Sequence, residues 1–252
     1  MKKSWIKFLD QVSEATQDIV EPFFRGQAES HWPLLPSLGR RNYSKEMENV
    51  LFYDFLTHSS SLVERGVKPW DLLFMMRHHG LPTRLLDWTQ SFSVALYFAL
   101  EAGSRSPAIC VLDPFLLNKT TTKEESIWHP ETDLSHSYYD YFIADHREVF
   151  PGSTLAILAN RTTARVIAQR AVFTIHADLD KPLEEICPEA VHKIGIPRTA
   201  LTDARSFLQM AGVNHFSLFP DLDGLGAWLR EYYQLDQTAI KSVVKSDKTS
   251  SQ

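Results

Sequence analysis

The stretch Arg77-His78-His79-Gly80-Leu81-Pro82-Thr83-Arg84-Leu85-Leu86-Asp87-Trp88-Thr89 gathers two arginines, two histidines, an aspartate and two threonines around one turn. A strand that served only the core would have no use for so many polar groups, so the stretch reads as part of a functional site. Histidines titrate near neutral pH, which suits His78 and His79 to acid–base work or to contact with phosphate. Adjacent residues on a helix point about 100° apart, so the pair is not expected to share a metal ion, and no carboxylate or thiol stands at a metal-ligand spacing beside them. No metal is expected. Arg84 offers a fork of donors to an anion, and Thr83 and Thr89 offer hydroxyls. Each residue also has a structural alternative. His79 can cap a helix C-terminus before Gly80, Arg84 and Asp87 can pair with each other, and Trp88 can be core.

Two further constellations join it. Phe24-Arg25-Gly26-Gln27 ends a strand-like run. It sets a guanidinium suited to phosphate or carboxylate beside a glycine that lets a ligand approach the main chain. Its alternative is an edge-strand arginine paired with a surface carboxylate. Arg165 and Gln169 fall four residues apart on a segment that reads as a strand, which would turn both to one side. A glutamine can bond sugar hydroxyls but cannot act as a base.

The elements that must hold these residues follow from periodicity. Trp5, Phe8, Leu9 and Val12 fall at helical spacing within residues 4–18. Residues 19–27 read as a strand that Pro22 places at an edge or a strand start, and two prolines keep Trp32–Leu38 extended. Helices are expected over 44–65 and over 69–78, the second opened by Pro69 and closed by Gly80. A strand over 83–89 leads into an apolar helix over 92–100, with Ser91 at its N-cap. Residues 108–112 and 171–176 read as strands, 118–125 as a polar loop and 193–196 as a strand. Short or amphipathic helices are expected over 182–186, 199–211 and 221–233. Strands mixed with helices, without regular βαβ alternation, predict an α+β fold with a mixed central sheet flanked by helices. The organisation expected is an N-terminal helix over 1–18, one domain over 19–235 and a polar tail over 236–252.

Bulk properties bound the function. The chain has 252 residues, near the upper size of a single core. A net charge of -5 gives no reason to expect wrapping of duplex DNA or adsorption to anionic lipid. Two cysteines make neither a disulfide framework nor a zinc motif, and Met1–Leu9 lacks a stretch of signal-peptide length. A cytoplasmic location, with no membrane contact, is the expectation. Oligomeric state is not legible.

The motifs Phe24-Arg25-Gly26 and His78–Thr89 running into Ala95-Leu96-Tyr97-Phe98-Ala99, then Arg165–Thr174 and Phe219–Leu225, strongly resemble the FRG domain over about residues 20–230. One departure is Arg170-Ala171, where that family tends to carry a glycine before the aromatic strand. The order of a strand arginine, a hydroxyl strand leading into an apolar helix and a late polar residue is also similar to the Arg–Ser–Glu pattern of ADP-ribosyltransferases. That resemblance implies an ADP-ribosyltransferase-like fold and NAD as substrate. It implies Arg25 gripping NAD, Thr89 in the hydroxyl position and Gln169 in place of the glutamate; either Asp87 or another acid then supplies charge, or the acceptor needs no base, or the protein binds without turnover. Gly26, Gln27, His78, His79, Thr83, Arg84 and Arg165 would then bind the dinucleotide, and the reaction would move ADP-ribose to a protein or nucleic-acid acceptor or hydrolyse NAD. Two other readings stand beside it. One is a non-catalytic nucleotide or nucleic-acid binding module in which Trp88 or Tyr97 stacks on a base. The other is a nuclease or hydrolase using His78 or His79.

Overall fold

A computed structural model of the chain describes residues 3–41, 43–101 and 105–233. The expected tail over 236–252 lies outside the described residues. In chain order, α1 (Lys3–Thr16) precedes β1 (Phe23–Gln27), α2 (Ser37–Arg40), α3 (Lys45–His58) and α4 (Pro69–His78). Next come β2 (Leu85–Thr89), α5 (Phe92–Ala99), β3 (Ala108–Leu112), α6 (Pro114–Thr122), α7 (Pro130–Asp133) and β4 (Thr154–Ile157). The chain continues through α8 (Ala164–Ala168), β5 (Ala171–His176), α9 (Leu183–Ile186), β6 (Val191–Gly195), α10 (Leu201–Met210), α11 (His215–Leu218) and α12 (Leu222–Tyr232).

Six strands form one sheet in the order β4-β5-β2-β1-β3-β6. The α+β class holds, but the sheet is not mixed. Among the described residues every strand pair is antiparallel, and parallel pairing is confined to the isolated bridges Glu29–Ser106 and Trp128–Ile157. Of the two positions Pro22 allows, the structure has the strand start: β1 is an interior strand. It begins directly after Pro22, which is the position where a missing N–H costs nothing, and it then lies between β2 and β3.

Side chains alternate across a strand, so the register sorts the core by face. Leu86, Trp88, Cys110, Leu112, Ala156 and Val172 share one face and one apolar cluster. The opposite face carries two clusters. Leu85, Phe173, Ile175, Leu155 and Ile157 pack under α3 and α4, while Phe24, Ile109 and Val111 pack under α1, α5 and α10. The seam between them runs between β2 and β1, where the two strands pair only at Phe24 and Thr89.

Two expectations fail locally. Arg165–Gln169 is not a strand: residues Ala164–Ala168 form a helical turn, with the Thr163 hydroxyl accepting the Val166 N–H as its cap and Gln169 at its C-terminus. The β-branched Val166 and Ile167 suggest a strand, but the cap and the turn that follows decide the local geometry. The polar stretch from Asn118 lies largely in α6. Asp113 caps that helix by accepting from the N–H groups of Phe115 and Leu116, and Pro114 fits its first turn. The Asn118 side chain is fully buried, bonding Ser126 and Ala156 main-chain groups.

Candidate functional site: an arginine-walled gap between two strands

Where β1 and β2 part, Arg25 occupies the opening. Its Nη1 donates to the Asp87 carbonyl at 2.6 Å and lies 3.8 Å from the Asp87 carboxylate. A side chain thus takes over a main-chain acceptor that a continuous ladder would have used. Gly26 fixes the strand's position from the other side. A Cβ there would stand 2.0 Å from the Ala95 carbonyl oxygen, so the glycine lets α5 lie directly on β1. Its role is close helix packing, where the sequence suggested close approach of a ligand.

Asp87 is the hub. Arg77, at the end of α4, grips both of its carboxylate oxygens through Nε and Nη2. Arg40 on α2 and Arg165 on α8 are near enough for their charges to act on the same carboxylate. Four guanidinium groups against one carboxylate leave a formal excess of three positive charges. Asp221, which acts on Arg165 and His78 at the rim, reduces that excess by one.

The titration behaviour follows from this crowding. Burial pulls the Arg25 pKa down to about 10, with Arg40 and Arg77 adding to the effect and Asp87 opposing it. Burial likewise lowers Arg40, helped by Arg77, and lowers Arg165. Burial also works against the charges of Arg77 and Asp87, but their mutual attraction and hydrogen bonds outweigh it. Arg77 is raised and Asp87 falls below its usual range. All five groups are therefore charged at neutral pH. The Arg25 Nε is buried and has no hydrogen-bond partner among the described residues. Among the described residues, Asp87 and Asp221 do not balance the four guanidinium groups, which is an electrostatic arrangement that suits an anion.

Thr89 and Gln169 adjoin this cluster. The Thr89 hydroxyl donates to the Gln169 carbonyl at 2.7 Å and accepts from the Ser91 N–H at 3.0 Å. The Gln169 amide donates to the Leu218 carbonyl at 3.2 Å. Arg165 stacks over the Phe219 ring at 4.6 Å, and its Nη1 lies 3.4 Å from the His78 carbonyl. Phe219 in turn stacks on His215, which meets the Tyr97 hydroxyl. The C-terminal helices thereby form one wall of the site. Of the two histidines, His78 is half-buried, and burial and then Arg165 and His79 lower its pKa. His79 is exposed at the C-cap of α4, and the two rings meet edge to face at 5.0 Å. Among the described residues no group of His, Cys, Asp and Glu is arranged to hold a metal ion.

Other residues of the motif stand apart from the gap. Arg84 does not pair with Asp87. It is 1% exposed, and Glu48 grips its Nε and Nη2 at 2.6 Å each while Nη1 donates to the His176 and Ala177 carbonyls. Thr83 is buried and its hydroxyl accepts the Leu85 N–H. Gln27 is buried against the Cys110 thiol. Trp88 is core and donates to the Thr174 hydroxyl, so it offers no face to a base. Arg40 is the residue that sequence reasoning missed. Nothing in Ser37-Leu38-Gly39-Arg40 marks it, and it joins the cluster only because α2 folds back onto the motif through the Leu38 N–H to Thr83 carbonyl bond.

Residues 21–107 match the FRG domain family. That stretch is an FRG domain. The matched stretch of the FRG domain contains Arg25, Arg40, Arg77 and Asp87, while Arg165, Gln169 and Phe219 come from the chain beyond it. No curated protein and no solved structure matches the chain. Among the described residues no helix is long and apolar enough to cross a membrane.

Proposed function

We propose that the FRG domain binds the pyrophosphate of NAD at the arginine-walled gap and catalyses glycosyl transfer, moving ADP-ribose to a protein or nucleic-acid acceptor or to water. The observation that carries this reading is the surplus of guanidinium around Asp87, which a ligand bearing two adjacent phosphates would neutralise. In the reaction the bond between C1′ of the ribose and the nicotinamide nitrogen breaks, and its electron pair leaves with nicotinamide. The acceptor oxygen bonds to C1′ and releases its proton to solvent. Asp87 is the carboxylate at hand, and its lowered pKa keeps it ionised to oppose positive charge developing on the ribose. Gln169 supplies a neutral amide only. The two free, buried cysteines fit a reducing compartment such as the cytoplasm.

The test is binding of NAD and inorganic pyrophosphate by calorimetry, together with release of labelled nicotinamide. Arg77→Ala is expected to weaken both ligands about tenfold or more. Asp87→Asn is expected to retain or tighten binding while nicotinamide release falls about a hundredfold. A folded protein that binds neither ligand refutes the reading. A second reading, a binding module without turnover, is favoured by the commitment of the Thr89 hydroxyl and the Gln169 amide to main-chain carbonyls. NAD binding with no nicotinamide release in the presence of cell extract would select it.

A further inference from the structure

Beside the arginine gap lies a second hollow, of about 310 Å³, lined by Trp32, Pro33, Leu35, Gly39 and Arg40. Its size falls at the small end of ligand sites, roughly 300–1,000 Å³. Arg40 belongs to both places: it lines this hollow, and its charge acts on Arg25, Arg77 and Asp87. We propose that the hollow is the base subsite of the same ligand, taking the neutral adenine ring of a nucleotide whose phosphates sit on the arginines. This proposal rests on the nucleotide reading given above.

Four features of the hollow support that occupant. First, it is preformed. The Leu34 N–H donates to the Glu184 carboxylate at 3.0 Å and the Lys193 ammonium to the Trp32 carbonyl at 2.8 Å, so α9 and β6 pin the loop. Pro33 and Pro36 remove backbone freedom, and Leu34 and Leu38 are fully buried beneath. Second, Gly39 sets the floor. A Cβ there would stand 2.4 Å from the Leu179 carbonyl oxygen, so α2 can lie against that backbone and present Arg40 at a fixed height. Third, Trp32 is 40% exposed, which is large for an indole that nothing else explains, and an indole face is a stacking surface for any base. Fourth, the only charged side chain in the lining is a cation. It disfavours the positively charged nicotinamide ring and accommodates a neutral purine, while its guanidinium can reach the adjoining phosphate.

The experiment compares the full chain's affinity for inorganic pyrophosphate, ADP and nicotinamide mononucleotide at fixed salt, in the wild type and in Trp32→Ala and Trp32→Phe. The base subsite predicts that ADP binds about tenfold or more tighter than pyrophosphate. Trp32→Ala should remove that advantage and leave pyrophosphate affinity unchanged, and Trp32→Phe should restore most of it. Nicotinamide mononucleotide should gain nothing from Trp32. ADP binding no tighter than pyrophosphate, or equal loss of both in Trp32→Ala, overturns the subsite while leaving the arginine gap standing. If neither pyrophosphate nor ADP binds at all, the nucleotide reading falls and the subsite with it.

Discussion

Replacing Glu48 by glutamine separates the stabilising arginine of the motif from those that face the gap. The Arg84 and Glu48 side chains are 2% and 4% exposed. Both bonds between them measure 2.6 Å, and the Tyr138 hydroxyl donates to the same carboxylate. The Arg84 guanidinium also lies over the Phe142 ring at 4.5 Å. Glutamine keeps the shape but removes the negative charge and turns an N–H group toward the guanidinium, leaving a buried cation uncompensated. Breaking such a pair costs about 3–5 kcal/mol. For a domain of this size that lowers the melting temperature by about 6–20 °C. Urea denaturation with an unchanged m-value, checked by thermal melting, reads the loss. Replacing all three partners, with Glu48→Leu, Arg84→Met and Tyr138→Phe together, removes the charge and is expected to recover most of the loss. That triple variant should also keep its pyrophosphate affinity within about twofold, because none of the three side chains faces the gap. A loss below about 1 kcal/mol in Glu48→Gln would put the pair on a par with surface ion pairs and refute the reasoning. A folded triple variant that no longer bound pyrophosphate would return Arg84 to the ligand site.

Two more outcomes follow from single residues. Arg170 has φ = 46°, in the left-handed region, where its N–H donates to Ile167 and its carbonyl accepts from Gln90. Arg170→Gly should raise stability by about 0.5–1 kcal/mol, since relief of the left-handed cost exceeds the added chain entropy, and a drop in the urea midpoint would contradict this. His176 is fully buried beside Thr174, and burial, then Arg84, lowers its pKa from 6.5 to about 3. The unfolded chain therefore takes up a proton near pH 6.5 that the folded chain refuses until about pH 3. Stability should fall with decreasing pH across that window, by at most about 1.4 kcal/mol per unit from this group. His176→Gln should flatten the slope of unfolding free energy between pH 6.5 and 4.5, and an unaltered slope would show that other groups dominate it.

Local patterns in the chain suffice for the elements whose signals are short-range. The amphipathic spacing of Trp5, Phe8 and Val12 forms α1, Pro69 and Gly80 bound α4, and the apolar run from Phe92 becomes the helix packed on β1. Alternation along β2 likewise places Leu86 and Trp88 in one cluster and Leu85 in another. The polar density from Arg77 to Thr89 and the Phe-Arg-Gly run correctly marked two segments that come together, because side chains on adjacent antiparallel strands meet wherever those strands pair.

Partnership was beyond the sequence, because charges have no periodicity and their counterions come from anywhere in the fold. Arg84 and Asp87, three residues apart, look like natural partners, yet α3 supplies Glu48 to the first while α4 and β1 supply Arg77 and Arg25 to the second. Arg40 enters the cluster because α2 folds back on Thr83, and the four residues Ser37–Arg40 carry no sign of that. Thr163 and Asp113 override the residue preferences that suggested a strand and a loop, since one capping hydrogen bond in the right place outweighs a few tenths of a kilocalorie per residue of propensity. β1 and β2 pair at the single position Phe24–Thr89, with α5 packed on β1 through Gly26 and α4 tied to β2 through Arg77, and none of these long-range contacts is written in either strand's own sequence.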